Sequence, residues 1–253
     1  MYYSVCISAV FSGKPIQDTL AAVRRAGYDH YEFWGWQDKD IDLLTRLHQE
    51  LGLTLSVMCV PGVPLNDPEK RQEYLTGLRD TIEVSKRLGC DTFISVPGNE
   101  ILDKSRDEQI ESIVAGLLEA APLLEKAGKT LVVEPLNALI DHKGIFLRDS
   151  SEAFGIIDRV GSAHVKVLFD IYHQHITGED TNALIRANAE KIGHIHIAGH
   201  PGRHEPWDPN EIDLAASLAS LKEAGYRRAI GLEYFPLRDA EEGLRVLAER
   251  FSL

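Results

Sequence analysis

The chain has 253 residues, of which 44% are hydrophobic and 26% charged, a composition typical of a globular protein and not of a disordered, collagen-like or membrane-spanning one. Its 27 Lys and Arg against 39 Asp and Glu give a net charge of −12, which repels nucleic acid and anionic lipid. The length allows either two small domains or one (β/α)8 barrel, which closes at roughly 250 residues.

The N-terminal segment predicts a first strand over residues 4–9. It lacks the basic start and the small-residue cleavage site of a signal peptide. No later stretch approaches the ~18 apolar residues of a membrane helix. The three cysteines show no metal-ligand spacing and are expected to be reduced thiols. We therefore expect a cytoplasmic protein that binds neither membrane nor nucleic acid.

One junction recurs along the whole chain: a charged helical end, a glycine, and then a β-branched or aromatic run, as in RRAGYDHYEF and EKAGKTLVVEP. Glycine suits the end of a helix because the residue there often takes a left-handed conformation. Each junction therefore predicts a helix that ends and a strand that begins. The seven junction glycines are Gly27, Gly52, Gly89, Gly128, Gly161, Gly193 and Gly225.

Together with the first strand and a last helical stretch at residues 240–251, the seven junctions give eight βα units. Asp67-Pro68 and the pair Ser105 and Glu108 have the pattern of helix starts. Alternating strands and helices indicate either a doubly wound sheet or a barrel. Eight units in this length, without GxGxxG after the first strand, favour an α/β fold consisting of a single (β/α)8 TIM barrel over residues 1–253.

Barrels carry their active sites at the carboxyl ends of the strands, so the last polar residue of each predicted strand is a candidate. Four such residues end different strands in the second half of the chain: Glu134, Asp170, His196 and Glu233. Carboxylates gathered at one place repel one another, and a bound divalent cation removes that cost. A mostly oxygen set with one nitrogen suits Mn²⁺ or Mg²⁺. The alternative is four unrelated residues that cap helices or pair with Lys and Arg.

The histidines are concentrated in one region, with eight of ten within residues 142–204. In HIHIAG the strand alternation sends His194 and His196 to one face, and the isoleucines between them suit the helix-facing side. His196, nearer the end of the strand, is the better metal ligand. His194 is then either a core histidine or a residue that supports a ligand.

Several segments resemble the hydroxypyruvate isomerase family, a branch of the xylose-isomerase-like sugar isomerases and epimerases. The segments DIYH and PGRHEP, which begin at Asp170 and Pro201, are specific to this resemblance. Looser agreement comes from YEFW and GNE, which begin at Tyr31 and Gly98. The resemblance covers essentially the whole chain, although the family often has glutamine at His196 and a GTGE stretch where this chain reads WDPNE at residues 207–211.

The resemblance implies that Glu134, Asp170, His196 and Glu233 bind one divalent metal ion and that the two glutamates also act as acid/base groups. It also implies that His173 and Arg203 contact substrate oxygens. The reaction would interconvert a small hydroxyketone and hydroxyaldehyde through an enediolate, most simply hydroxypyruvate and tartronate semialdehyde. A guanidinium suits such a carboxylate because it donates two parallel hydrogen bonds, and His204 beside Arg203 would add to an anion site.

Other activities on the same barrel stay open: a ketose 3-epimerase, an isomerase of 2-oxo-tetronate-type sugar acids, an inosose-type dehydratase, and a DNA-repair endonuclease. The net charge disfavours the endonuclease. Trp34 and Trp36 either wall a small substrate or pack beneath a loop. Because related proteins often associate, a homo-oligomer is a further expectation.

Overall fold

The computed structural model describes residues 1–207 and 209–253, so Asp208 of the WDPNE stretch lies outside the described residues. The strands are β1 Tyr2–Cys6, β2 His30–Phe33, β3 Thr54–Cys59, β4 Thr92–Ser95, β5 Thr130–Val133, β6 Val165–Asp170, β7 Ile192–Ile197 and β8 Ala229–Leu232. The helices are α1 Ile7–Val10, α2 Ile16–Arg25, α3 Ile41–Leu51, α4 Arg71–Leu88, α5 Arg106–Ala127, α6 Ser150–Val160, α7 Ile171–Thr177, α8 Thr181–Asn188, α9 Leu214–Glu223 and α10 Ala240–Arg250.

The eight strands form one closed parallel barrel in the order β1 to β8, with β8 pairing back onto β1. Helices follow the strands along the chain, so the predicted TIM barrel is confirmed. The first strand begins and ends earlier than the predicted residues 4–9. It stops at Cys6, and the rest of the apolar run continues as the short helix α1.

Six of the seven junction glycines have the left-handed backbone that the junction pattern predicts, with φ between 63° and 92°. The prediction was wrong for Gly193, which lies inside β7 and ends no helix. A Cβ at this position would approach Val132 Cγ1 to 2.5 Å and Lys166 Cβ to 3.0 Å. Glycine is therefore needed there because the strands that carry Val132 and Lys166 pack too closely for a side chain.

The two predicted helix starts are confirmed. Asp67 accepts a hydrogen bond from the amide of Glu69 at the head of the 3₁₀ turn Pro68–Lys70, which leads into α4. Ser105 and Glu108 form a reciprocal capping box at the start of α5. Both caps satisfy backbone amides that have no partner within the helix.

The interior of the barrel is apolar on one side and polar on the other. A small cluster from β3 to β6, formed by Val57, Ile94, Val132 and Leu168, fills the first side. The opposite side holds the buried polar residues Glu32, His194 and His196. A much larger apolar core lies between strands and helices. No helix in the described residues is long and apolar enough to cross a membrane.

Candidate metal centre and active site

Four predicted site residues meet at the carboxyl ends of their strands. Glu134 and Glu233 follow β5 and β8 directly, Asp170 is the last residue of β6, and His196 is the penultimate residue of β7. One potential ligand atom from each of the four lies within 4.8 Å of every other, and all four residues are buried. The structure thus brings the set together, while its role as a metal site stays a prediction.

Two atoms of this set are buried without a hydrogen-bond partner in the described part of the chain: Glu134 Oε1 and His196 Nδ1. His196 Nδ1 lies 3.3 Å from Glu134 Oε1 and 3.3 Å from Glu233 Oε2. Buried polar atoms normally find partners, so unpaired ones that converge indicate a place for a bound group. Separations near 3 Å are those expected between neighbouring ligands of one cation at about 2.1 Å. The residues therefore fit a divalent ion.

Glu32 on β2 holds both histidines of β7 and was missed as a site residue by the sequence analysis. Its Oε1 lies 2.8 Å from His196 Nε2 and its Oε2 lies 3.0 Å from His194 Nε2. All three side chains are buried. A proton on His196 Nε2, shared with Glu32, leaves the lone pair of Nδ1 free to face the metal position. Of the two alternatives that the sequence left open for His194, the structure favours the second, because His194 supports the predicted ligand His196 through their shared partner Glu32.

The neighbouring strand β8 makes room for this arrangement through Gly231. Gly231 is the register partner of His196, and a Cβ on it would lie 2.5 Å from both Glu32 Oε1 and His196 Cδ2. The Glu32 carboxylate is buried and hydrogen-bonded to two histidines, so moving it away from such a Cβ would disturb those bonds. Gly231 therefore serves close packing around the Glu32 carboxylate.

Asp170 and His173 are oriented by the start of α7. Asp170 Oδ1 accepts hydrogen bonds from the amides of Tyr172 and His173, which leaves Oδ2 for the site. Asn137 Nδ2 lies 2.6 Å from His173 Nδ1, so the amide donates there and the ring proton belongs on Nε2. His173 Nε2 is buried, 3.5 Å from Asp170 Oδ2, and has no hydrogen-bond partner in the described residues. It is therefore available to donate to a substrate oxygen.

Glu233 is held from two sides. Its Oε1 accepts a hydrogen bond of 2.5 Å from Trp34 Nε1, and its Oε2 accepts one from Arg203 Nη2. Arg203 also lies 3.8 Å from Asp170 Oδ2. Its guanidinium lies over the rings of Tyr172 and Phe235, at 5.5 and 5.8 Å. The structure thus brings Arg203 into the site, with its charge directed at the carboxylates.

Arg203 has an unusual backbone, with a φ of 57°, a conformation that non-glycine residues seldom adopt. Its carbonyl accepts a hydrogen bond from the amide of Phe235, which fixes the loop beside β8. His204 Nδ1 forms a hydrogen bond of 2.8 Å with the carbonyl of Phe235, which anchors this ring to the loop after β8. Its contribution to an anion site stays a prediction.

The buried carboxylates of the site differ in the direction of their pKa shifts. Burial raises the pKa of Glu134 and that of Asp170. Burial acts in the same direction on Glu233, but His196 and Arg203 outweigh it and hold its pKa well below the usual range. Burial likewise opposes ionisation of Glu32, but His194 and His196 hold its pKa at about 2. Negative charge is thus secured at Glu233 and Glu32, and a divalent ion would secure it at Glu134 and Asp170.

The two tryptophans after β2 have different positions. Trp34 is 39% exposed and reaches Glu233, whereas the Nε1 of Trp36 donates to Thr81 Oγ1 on α4 at 3.0 Å. Trp34 also lines a cavity of about 640 Å³ together with residues of the β1 and β2 loops, among them Ser8 and Lys14. Trp34 therefore reaches the candidate site through Glu233, whereas Trp36 packs against α4.

Comparisons with known proteins agree with this fold. The family described as xylose isomerase-like TIM barrel matches residues 20–250. A hydroxypyruvate isomerase from Escherichia coli is 32% identical over 75% of this chain and 70% of its own length. A 2-oxo-tetronate isomerase from Cupriavidus necator is 28% identical over 96% and 95% of the two chains. A solved structure from Brucella melitensis, named as a family 2 AP endonuclease, superposes with a TM-score of 0.92 at 27% identity over 99% of both chains.

The chain therefore belongs to the xylose isomerase-like TIM-barrel family of sugar isomerases. Within that family it groups with relatives named hydroxypyruvate isomerase, and it is an isomerase.

Proposed function

We propose that this chain is a metal-dependent isomerase that interconverts hydroxypyruvate and tartronate semialdehyde through an enediolate. The observation that carries the proposal is the convergence of Glu134 and Glu233 on the unpaired His196 Nδ1, beside a buried arginine. Glu134, Asp170, His196 and Glu233 would hold one Mn²⁺ or Mg²⁺. When bound, such an ion supplies Lewis acidity that stabilises negative charge on adjacent substrate oxygens.

The side chains of the site account for the proton movements. Isomerisation removes a proton from the carbon next to a carbonyl and returns one to the neighbouring carbon. Glu134 and Glu233 follow β5 and β8, three strands apart in the barrel, and both face His196 Nδ1, so either carboxylate takes the proton and the pair returns it. His173 Nε2 donates to a substrate oxygen, and Arg203 binds the substrate carboxylate.

Deuterium exchange tests this function. Hydroxypyruvate is incubated in D₂O with Mn²⁺ or Mg²⁺ and followed by NMR, since exchange reports enediolate formation even when little product accumulates. We expect exchange and product with metal, neither after exhaustive chelation, and recovery when metal is restored. Full activity of the chelated protein would disprove the metal requirement. Absence of exchange with every substrate tried would disprove the isomerase mechanism on these acids.

A second candidate substrate is a four-carbon acid of the 2-oxo-tetronate type. The Cupriavidus relative is named for this activity. Faster exchange with such an acid than with hydroxypyruvate would favour it. Exchange with free ketoses would instead favour a 3-epimerase. We do not propose the endonuclease activity for which the Brucella protein is named, because a net charge of −12 opposes binding to a phosphate backbone.

Replacing Arg203 with lysine is expected to raise KM for hydroxypyruvate by roughly 10- to 100-fold, since a bidentate charged contact to the carboxylate is lost. Dihydroxyacetone has a hydroxymethyl group in place of that carboxylate. We expect it to be turned over more slowly, and its kcat/KM should change much less on this substitution. The ratio of the two kcat/KM values isolates carboxylate recognition from any effect on Glu233. Arg238→Lys, at an exposed position in the following loop, is the matched control. Equal losses on both substrates would contradict the assignment.

A further inference from the structure

A second group of metal-binding side chains lies outside the centre described above. One potential ligand atom from each of His175, His200 and Glu211 lies within 4.8 Å of the others. Glu211 Oε2 lies 3.6 Å from His200 Nε2 and 3.8 Å from His175 Nε2. These separations are just too long for hydrogen bonds. A tetrahedral ion with ligands at about 2.0–2.1 Å separates them by about 3.4 Å, so shifts of a few tenths of an ångström would complete the site.

The three side chains come from elements that the fold holds in place. His175 is in the last turn of α7, His200 follows β7, and Glu211 precedes α9. The Glu211 amide donates to the His200 carbonyl at 2.8 Å, and Asn210 Oδ1 accepts from the amide of His200 at 2.9 Å. The ends of the loop formed by residues 200–211 are thereby joined. The ligands are therefore presented by an ordered stem.

The donor set differs in chemistry from that of the main centre. Two imidazole nitrogens and one carboxylate suit Zn²⁺ and leave a fourth position for water. The side chains are 35%, 18% and 63% exposed, in the order His175, His200 and Glu211, so an ion can enter and leave. Within residues 1–207 and 209–253, the ion-pair partners of Glu211 are these two histidines, so no Lys or Arg competes for the carboxylate.

We propose that His175, His200 and Glu211 form a second, exchangeable Zn²⁺ site that fastens the stem of the Arg203 loop to α7. The proposed zinc site lies next to residues of the main centre. The His200 ring lies 6.0 Å from the ring of Tyr172, and the Tyr172 ring lies beneath the Arg203 guanidinium. A bound ion would thus restrain both the helix that carries His173 and the loop that carries Arg203. The site does not depend on the proposed reaction.

Counting bound zinc tests the proposal. Wild type, His175→Asn, Glu211→Gln and the control His164→Asn are dialysed against micromolar Zn²⁺, and zinc per chain is measured by mass spectrometry. His164 is a half-buried histidine at the start of β6, bonded to the carbonyl of Lys129. We expect His175→Asn and Glu211→Gln each to hold one zinc fewer than wild type and the control. The test compares zinc per chain between each variant and wild type, because the zinc content of every chain also includes any zinc in the main centre.

A second readout follows the ring protons. In wild type, addition of Zn²⁺ should shift the NMR signals of His175 and His200, and Glu211→Gln should shift the midpoint at least tenfold to higher Zn²⁺. Equal unfolding temperatures of the four chains in chelator establish that the substitutions leave the fold intact. Equal zinc content in all four chains would overturn the proposal. Loss of a zinc from His164→Asn as well would also overturn it, because it would indicate unspecific binding to surface histidines.

Discussion

Glu134→Gln and Glu233→Gln are each expected to lower kcat for hydroxypyruvate by at least about a hundredfold. Glutamine keeps the shape of the side chain but neither accepts nor delivers a proton, and a positioned general acid or base contributes 10²–10⁴-fold. Both carboxylates are buried, and each lies 3.3 Å from the same imidazole nitrogen, His196 Nδ1. The variant that lacks the base should lose deuterium exchange together with turnover, because both depend on the same proton removal.

These glutamates are also predicted ligands, so metal content has to be measured for each variant at saturating Mn²⁺. A variant that retains the ion and loses exchange supports a role in proton transfer, whereas one that loses both supports a role in binding the ion. Glu125→Gln, on the exposed surface of α5, removes one negative charge far from the site and should leave kcat unchanged. Near-normal turnover by Glu134→Gln or Glu233→Gln would exclude that residue as a proton carrier.

The barrel could be predicted because its signals are local. A helix that ends in a left-handed residue favours glycine whatever surrounds it, and Gly52, Gly89 and Gly128 show this directly. The prediction failed at Gly193 because two different physical requirements select glycine. Its lack of a side chain serves close contact with Val132 and Lys166, which only the folded sheet brings together.

The site could be predicted only in part. Strand-end residues converge in any parallel barrel, which is why Glu134, Asp170, His196 and Glu233 could be grouped from the sequence. Contacts made by loops could not be predicted, because they depend on where the loops pack. The pairing of Arg203 with Glu233 and the turn of His204 toward Phe235 are of this kind.

Glu32 could have been found with an argument already applied to β7. In HYEF the strand alternation sends Tyr31 and Phe33 to one side and Glu32 to the other, and the two aromatic residues suit the helix-facing side. A carboxylate that points into a barrel needs partners, and the inward histidines of β7 were available. The sequence alone does not show that β2 and β7 are close enough for this contact, because Glu32 and His194 are 162 positions apart along the chain.

Glu32→Gln is expected to weaken Mn²⁺ binding by roughly 10- to 100-fold, although Glu32 is not among the four predicted ligands. The carboxylate accepts hydrogen bonds from the Nε2 atoms of both His194 and His196. An amide has one acceptor and one donor end, so it satisfies only one of these histidines in the same tautomer. When the NH₂ group faces His196, the ring proton moves to Nδ1, where it blocks the lone pair directed at Glu134 and Glu233. When the amide is reversed, His194 takes the other tautomer and the network is weakened indirectly.

Calorimetry with Mn²⁺ measures the affinity, and ¹⁵N NMR of the imidazoles measures the tautomer of His196, which a merely structural defect would not change. Because the pKa of Glu32 is about 2, its carboxylate is ionised throughout the neutral range, and the difference between Glu32→Gln and wild type should persist from pH 6 to pH 8. Ser4→Ala, another buried polar position in the barrel wall, is the control and should bind Mn²⁺ as wild type does. Unchanged affinity and an unchanged His196 tautomer in Glu32→Gln would show that the Glu32 carboxylate does not orient the metal ligand.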